Sequence, residues 1–149
     1  MRILLSYFLV LTLTLPAFAA DGLVSLPSQH SVRATSDRLV DLLKSKGMTV
    51  FIRIDHTAAA KKVGAEIRPT TLVIFGNPKV GSPLMKCRQA VAIDLPQKAL
   101  IWQDEQGQVW LSYNDPAYLK DRHQIEGCNE VLKKVSDALN NFAAGATQK

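Results

Sequence analysis

Between Val32 and Phe75 the apolar residues pass from a helical repeat to a strand repeat and then to an unbroken β-prone run, and this succession restricts the fold more than any other feature of the chain. Val32, Thr35, Leu39, Leu42 and Leu43 share one face of a 3.6-residue repeat, with Asp37, Arg38, Asp41 and Lys44 between them. Ser31 is suited to cap that helix, and Lys44, Lys46 and Gly47 are suited to end it. Met48 to Asp55 then alternates, which predicts a strand with Met48, Val50, Ile52 and Ile54 on one side and Thr49, Phe51 and Arg53 on the other. Thr70 to Phe75 is continuously apolar or β-branched, as in a central strand or one covered on both faces. Helices and strands that follow each other this closely must bury their apolar faces against one another in layers.

The rest of the chain fits that scheme. Leu23, Val24 and Leu26 form a short apolar start, and Pro27 to Ser31 reads as a turn. Asp55 or Thr57 caps a short Ala-rich helix that closes at Lys61, Lys62 and Gly64. Val91 to Leu95 and Ala99 to Gln103 read as strands. Asp104-Glu105-Gln106-Gly107 is a turn, and Val109 to Tyr113 is its hairpin partner, with Trp102 and Trp110 on opposite arms. Asp115-Pro116 opens a helix with a cap and a proline at the first helical position. Cys128, Val131, Leu132, Val135, Leu139 and Phe142 form the apolar face of a C-terminal helix. The expected fold is α/β (α+β): a two-layer sandwich, helices packed on one mixed β-sheet, in a single domain.

Residues 1–19 carry a different signal. Arg2 precedes the apolar run Ile3 to Leu15, Pro16 breaks it, and Ala17-Phe18-Ala19 offers a small-x-small cleavage site. The run falls short of the ~20 residues of a spanning helix. We therefore expect a signal peptide over 1–19, a domain over 20–149, an exported protein (periplasmic or secreted), and no membrane anchor after cleavage. Formal net charge is +5, but Arg33, Arg53, Lys61, Lys62, Arg68, Lys79, Lys86 and Arg88 are scattered with no interleaved aromatic stripe. A nucleic-acid partner is not expected. In an oxidising compartment Cys87 and Cys128 either form a disulfide, worth roughly 4 kcal/mol in the chain-entropy model, or remain two buried thiols.

Gly76-Asn77-Pro78-Lys79-Val80-Gly81-Ser82-Pro83 has the glycine spacing of a phosphate-binding loop and lacks its chemistry. Ser82 and Pro83 stand where Lys and Ser/Thr are required, and two prolines remove N–H donors. Asn77-Pro78 and Ser82-Pro83 read instead as helix-start pairs. A small anion at the helix start, near Asn77 and Lys79, is the surviving binding possibility there. His30, His56 and His123 are far apart in sequence and show no metal-ligand spacing, so no metal is expected and no cofactor is implied. No nucleophile elbow is present. A Cys87 pairing with His56 or His123 is a matter for geometry. Two polar segments follow strand ends, where α/β proteins place sites: one holds His56, the other Tyr113, Asn114, Asp115, Tyr118, Arg122 and His123.

The segments "IDHTAAAKKVG", "RPTTLVIFGNPKVGSPLM", "AIDLPQKALIWQDEQGQVWLSYNDP" and "YLKDRHQI", in that order, resemble the domain of unknown function 302 family from about Leu23 to Phe142. The resemblance implies a two-layer α/β domain, often a homodimer, and implies no particular reaction. A Cys87–Cys128 bridge would then be a feature of exported members.

Three functions are consistent with these residues. The first is an exported ligand-binding module with no reaction, its candidate contacts being His56, Asn77, Lys79, Tyr113, Asn114, Tyr118, Arg122 and His123. The second is a small hydrolase- or isomerase-like enzyme with His123 or His56 as general base and Asp115 or Asp94 as the orienting carboxylate. The third is a structural or interaction protein acting as a dimer. With no catalytic motif, the balance leans away from an enzyme.

Overall fold

The computed structural model describes residues 22–148, so the expected signal peptide lies outside the described residues. Five strands, β1 (Leu23–Ser28), β2 (Thr49–Asp55), β3 (Thr70–Gly76), β4 (Gln97–Gln103) and β5 (Val109–Asn114), form one sheet in the order β1-β5-β4-β3-β2. The helices are α1 (Val32–Ser45), α2 (His56–Lys62), α3 (Pro78–Cys87), α4 (Pro116–His123) and α5 (Asn129–Thr147), with a 3-10 helix at Gln89–Ile93. The two layers are as expected. Every strand pairing is antiparallel, where a mixed sheet was expected. The reason lies in the connections. α2 turns the chain back at the sheet's end instead of crossing its face, so β3 returns beside β2 in the opposite direction.

The core lies between one sheet face and the helices. Val73, Phe75, Ala99, Ile101, Leu111 and Tyr113 meet Leu39 and Leu43 of α1 and Leu132, Val135 and Leu139 of α5. The periodicity located both of those helices. Ser31 caps α1 by accepting from the Ala34 amide at 3.2 Å, and Asp55 caps α2 by accepting from Ala58 at 2.9 Å.

Local differences from the expected elements have identifiable causes. β1 runs through Pro27 to Ser28, because β1 is an edge strand and a proline there forfeits no ladder bond on its open side. Val91 to Leu95 contributes to a 3-10 turn, not a strand, and Val91 is its buried anchor. Pro83 sits inside α3 and does not start a second helix, since the Asn77 cap has already set the helix running. In β2 the register shifts between Val50 and Ile52. Val50 pairs with Phe75 on the helix side, whereas Ile52 and Ile54 pair with Ile74 and Leu72 on the opposite face. The bulge leaves Phe51 unpaired at the edge of the sheet.

Candidate functional site

Three walls meet at the end of the sheet where β3 stops at Gly76. α3 forms one wall, α5 another, and the Ala92–Gln97 connection into β4 the third. They enclose a cleft of about 350 Å³, at the small end of the ~300–1,000 Å³ usual for ligand pockets. The cleft is apolar. Met48, Phe51, Phe75, Val80, Leu84, Met85, Leu95, Val135, Leu139 and Phe142 supply most of it, while Asn77, Ser82, Gln97 and Lys134 are its polar members. Phe75 and Phe142 meet edge-to-face with ring centroids 6.3 Å apart. Val80, Met85 and Phe51 remain exposed, so the cleft opens along α3 and the bulged strand. A Cβ at Gly76 would touch Phe51 and Pro96, each 3.4 Å from the position it would take.

Asn77 is the candidate contact that lines this cleft. Its carboxamide oxygen accepts from the Lys79 amide at 2.9 Å, and its nitrogen donates to the Gly47 carbonyl at 3.4 Å. Lys79 is exposed on the first turn of α3 and is not among the lining residues.

The structure separates the other candidates. Asp55, just before His56, pairs with Thr71, whereas the opposite end of β2 pairs with Gly76. His56 therefore opens α2 at the end of the sheet away from the cleft, and Tyr113 to Asp115 lie at the cleft's end. A single site holding both segments, as the sequence suggested, does not form, because antiparallel pairing sends the two strand ends in opposite directions.

The Tyr113–His123 segment does gather, but around Asp94. His123 Nε2 lies 2.5 Å from Asp94 Oδ2, with both side chains largely buried. The Arg122 guanidinium lies 3.4 Å from the same oxygen and donates to the Tyr118 hydroxyl at 3.0 Å. That hydrogen bond and the nearby Asp94 raise the Arg122 pKa and keep it a cation. The Tyr118 ring packs over Gly22, where a Cβ would come within 2.5 Å of it. Asp115 caps α4 by accepting from Ala117 at 2.8 Å. Tyr113 is buried, and that burial, with Asp115 nearby, pushes its phenol pKa up, so it stays un-ionised at neutral pH. Asn114 ends β5 opposite Leu23. The cluster thus ties α4 to the 3-10 helix and to the start of β1. His123 with Asp94 has the geometry of an acid–base pair, yet neither lines the cleft, although Ala92 and Leu95 beside Asp94 do. Among the described residues no group of three His, Cys, Asp or Glu is placed to hold a metal, and no helix is long and apolar enough to cross a membrane.

Cys87, the last residue of α3, and Cys128, the cap of α5, sit at disulfide distance with their Cα atoms 6.5 Å apart. Cys128 is buried. Cys87 is exposed, against the expectation of two inward-facing cysteines, because α3 lies at the rim and its end turns outward. Neither cysteine is placed against a histidine by any hydrogen bond among the described residues; the Cys128 sulfur faces the Pro83 carbonyl.

The sequence matches the family described as "Domain of unknown function DUF302" over residues 24–142. The chain belongs to the DUF302 family. A solved DUF302 protein from Bacillus stearothermophilus superposes with a TM-score of 0.77 at 18% identity, over 85% of this chain and 99% of that one, which shows the shared fold. Proteins named fluoride-specific ion channel FluC 1, from Brucella suis biovar 1 (strain 1330) and Brucella abortus biovar 1 (strain 9-941), are 44% identical over 129 residues. That alignment takes in 84% of this chain and 51% and 48% of those proteins, so this DUF302 chain spans about half the length of the curated relatives it matches.

Most of the cleft was missed from sequence. Its one available signal was the surplus of apolar residues that serve no helix stripe or strand alternation: Val80 and Met85 on a short segment that carries Pro78 and Pro83, and Phe51 out of phase with its neighbours.

Proposed function

We propose that this DUF302 chain is an exported binding module that holds an apolar small molecule in the cleft between α3 and α5. The observation that carries the reading is the cleft itself, a concave, open and almost wholly apolar site at the end of a sheet. A water-filled apolar cleft favours any occupant that removes its lining from water, by about 25 cal/mol per Å² of apolar surface. Export is supported by the N-terminal pattern and by two cysteines at disulfide distance. We also propose that the chain assembles as a homodimer through the sheet face that carries no helix.

The binding reading is tested with 1-anilinonaphthalene-8-sulfonate fluorescence on the mature chain. Saturable binding is expected for wild type. It should be lost in Ala138→Trp, which fills the cleft from α5, and in Met85→Lys, which places a charge on its wall. Circular dichroism establishes that each variant is folded. Absence of wild-type binding, or undiminished binding in two folded variants, overturns the reading.

A further inference from the structure

The cleft's charge distribution restricts its occupant. Among the described lining residues Lys134 carries the sole formal charge, and no carboxylate is present. Lys134 is exposed on α5 and lines the cleft, so it stands at the mouth, where a lysine can lay its methylene stem on apolar surface and keep its ammonium in water. Its neighbour Lys133 is already paired with Asp137 at 2.7 Å, whereas Lys134 has no carboxylate partner within 4.0 Å among the described residues. Gln97 and Ser82 add neutral polar groups to the same lining.

Resting on the cleft reading, we propose that the occupant is a single-chain monoanionic amphiphile. Its alkyl or aryl tail fills the cleft, and its carboxylate-like head sits at the mouth beside Lys134. An unpaired ammonium at the rim attracts an anion and repels a cation, so it selects the head group while the cleft selects the tail. The limited volume favours one chain over a two-chain lipid. Because the ammonium is solvated, its effect is modest and salt-sensitive.

Isothermal titration with matched ten-carbon probes tests the charge: decanoate, decanol and decyltrimethylammonium. Decanoate should bind best, by roughly twofold to fivefold over decanol, as for an exposed ion pair. The preference should shrink in high salt. Lys134→Gln should abolish the preference for decanoate over decanol. Shortening decanoate by two carbons at a time should cost about fourfold per methylene. Equal binding of all three probes, or a preference that survives Lys134→Gln, overturns the proposal while leaving the apolar-cleft reading intact. Failure of all three probes to bind overturns both. Co-sedimentation with phosphatidylglycerol vesicles is the second arm: vesicle binding with no binding of free decanoate assigns the anion to a lipid surface and overturns the single-chain occupant.

Discussion

At Asp104 one carboxylate organises the turn between β4 and β5. Its Oδ2 accepts from the Trp110 indole at 2.7 Å, and its Oδ1 accepts from the amides of Gln108 at 2.8 Å and Gln106 at 3.0 Å. The Trp110 bond, opposed by desolvation and joined by the two amides and Arg68, holds this carboxyl below the usual carboxylate range. A depressed pKa means that the folded state binds the anion form more tightly than the unfolded chain does. The resulting stability is complete above the unfolded carboxylate pKa and is lost as pH falls through the lower folded value. Carbon NMR titration of Asp104 should give a midpoint below that of an ordinary aspartate. Trp110→Phe should move the midpoint up and make thermal stability less dependent on pH across that acidic window. An unmoved midpoint in the variant would assign the shift to the backbone amides and Arg68. Gly107, at φ 84°, supplies the left-handed residue the turn needs.

At the scale of elements, α3 and α5 form two walls of the cleft, and the cysteines join them where α3 ends and α5 begins. A Cα separation of 6.5 Å is within the reach of a disulfide. Thiol counting on denatured, unreduced mature protein should find none free; two per chain would refute the bridge. The bridge closes a loop across a sequence separation of 41 residues, for which the chain-entropy model gives roughly 4 kcal/mol of stabilisation. Reduction should therefore lower the unfolding temperature, and a Cys87→Ser/Cys128→Ser variant should show the same loss and be insensitive to reductant. Elements were legible wherever one period ran long enough, as in α1, α5 and the Trp102–Trp110 hairpin, whose tryptophans are directly opposed. Reading failed where a tertiary choice overrode a local pattern. The β2 bulge exchanged faces after Val50. A proline was accepted inside α3, and Val91 was buried by a 3-10 turn. Phe51 at the bulge and Ala92 and Leu95 around the 3-10 turn line the cleft, which is why polar strand-end residues drew attention to the Asp94 cluster while the apolar site lay beside it.

For the whole molecule, the unsettled surface is the sheet face turned away from α1 and α5. Cross-strand register places Ile54, Leu72 and Leu100 in one row and Ile52 and Ile74 in the next, with Trp102, Trp110 and Pro27 in another. Among the described residues no helix covers them. Ser25, Ser112, Trp102, Lys98 and Thr70 on this face are already partnered within the chain. Ser25 and Ser112 share a 2.7 Å hydrogen bond, and the Trp102 indole donates to Ser112 at 3.0 Å. The Lys98 ammonium donates to the Asp94 and Pro96 carbonyls, each at 3.0 Å, and Thr70 donates to the Arg68 carbonyl at 2.9 Å. Because these groups keep their partners, covering them costs less than burying unpaired polar atoms. A second copy suits it, because two such faces related by a two-fold axis present the same apolar rows to each other. A specific interface buries about 800 Å² per partner, which is the area this pairing would have to cover. Light scattering on the mature chain should give twice the monomer mass at micromolar concentration. Leu100→Asp, at the centre of the face, should give a folded monomer that still binds anilinonaphthalene sulfonate, since Leu100 belongs to the sheet face opposite the cleft's core side. A monomeric wild type, or a variant that stays dimeric, would show that this face is not the one that pairs.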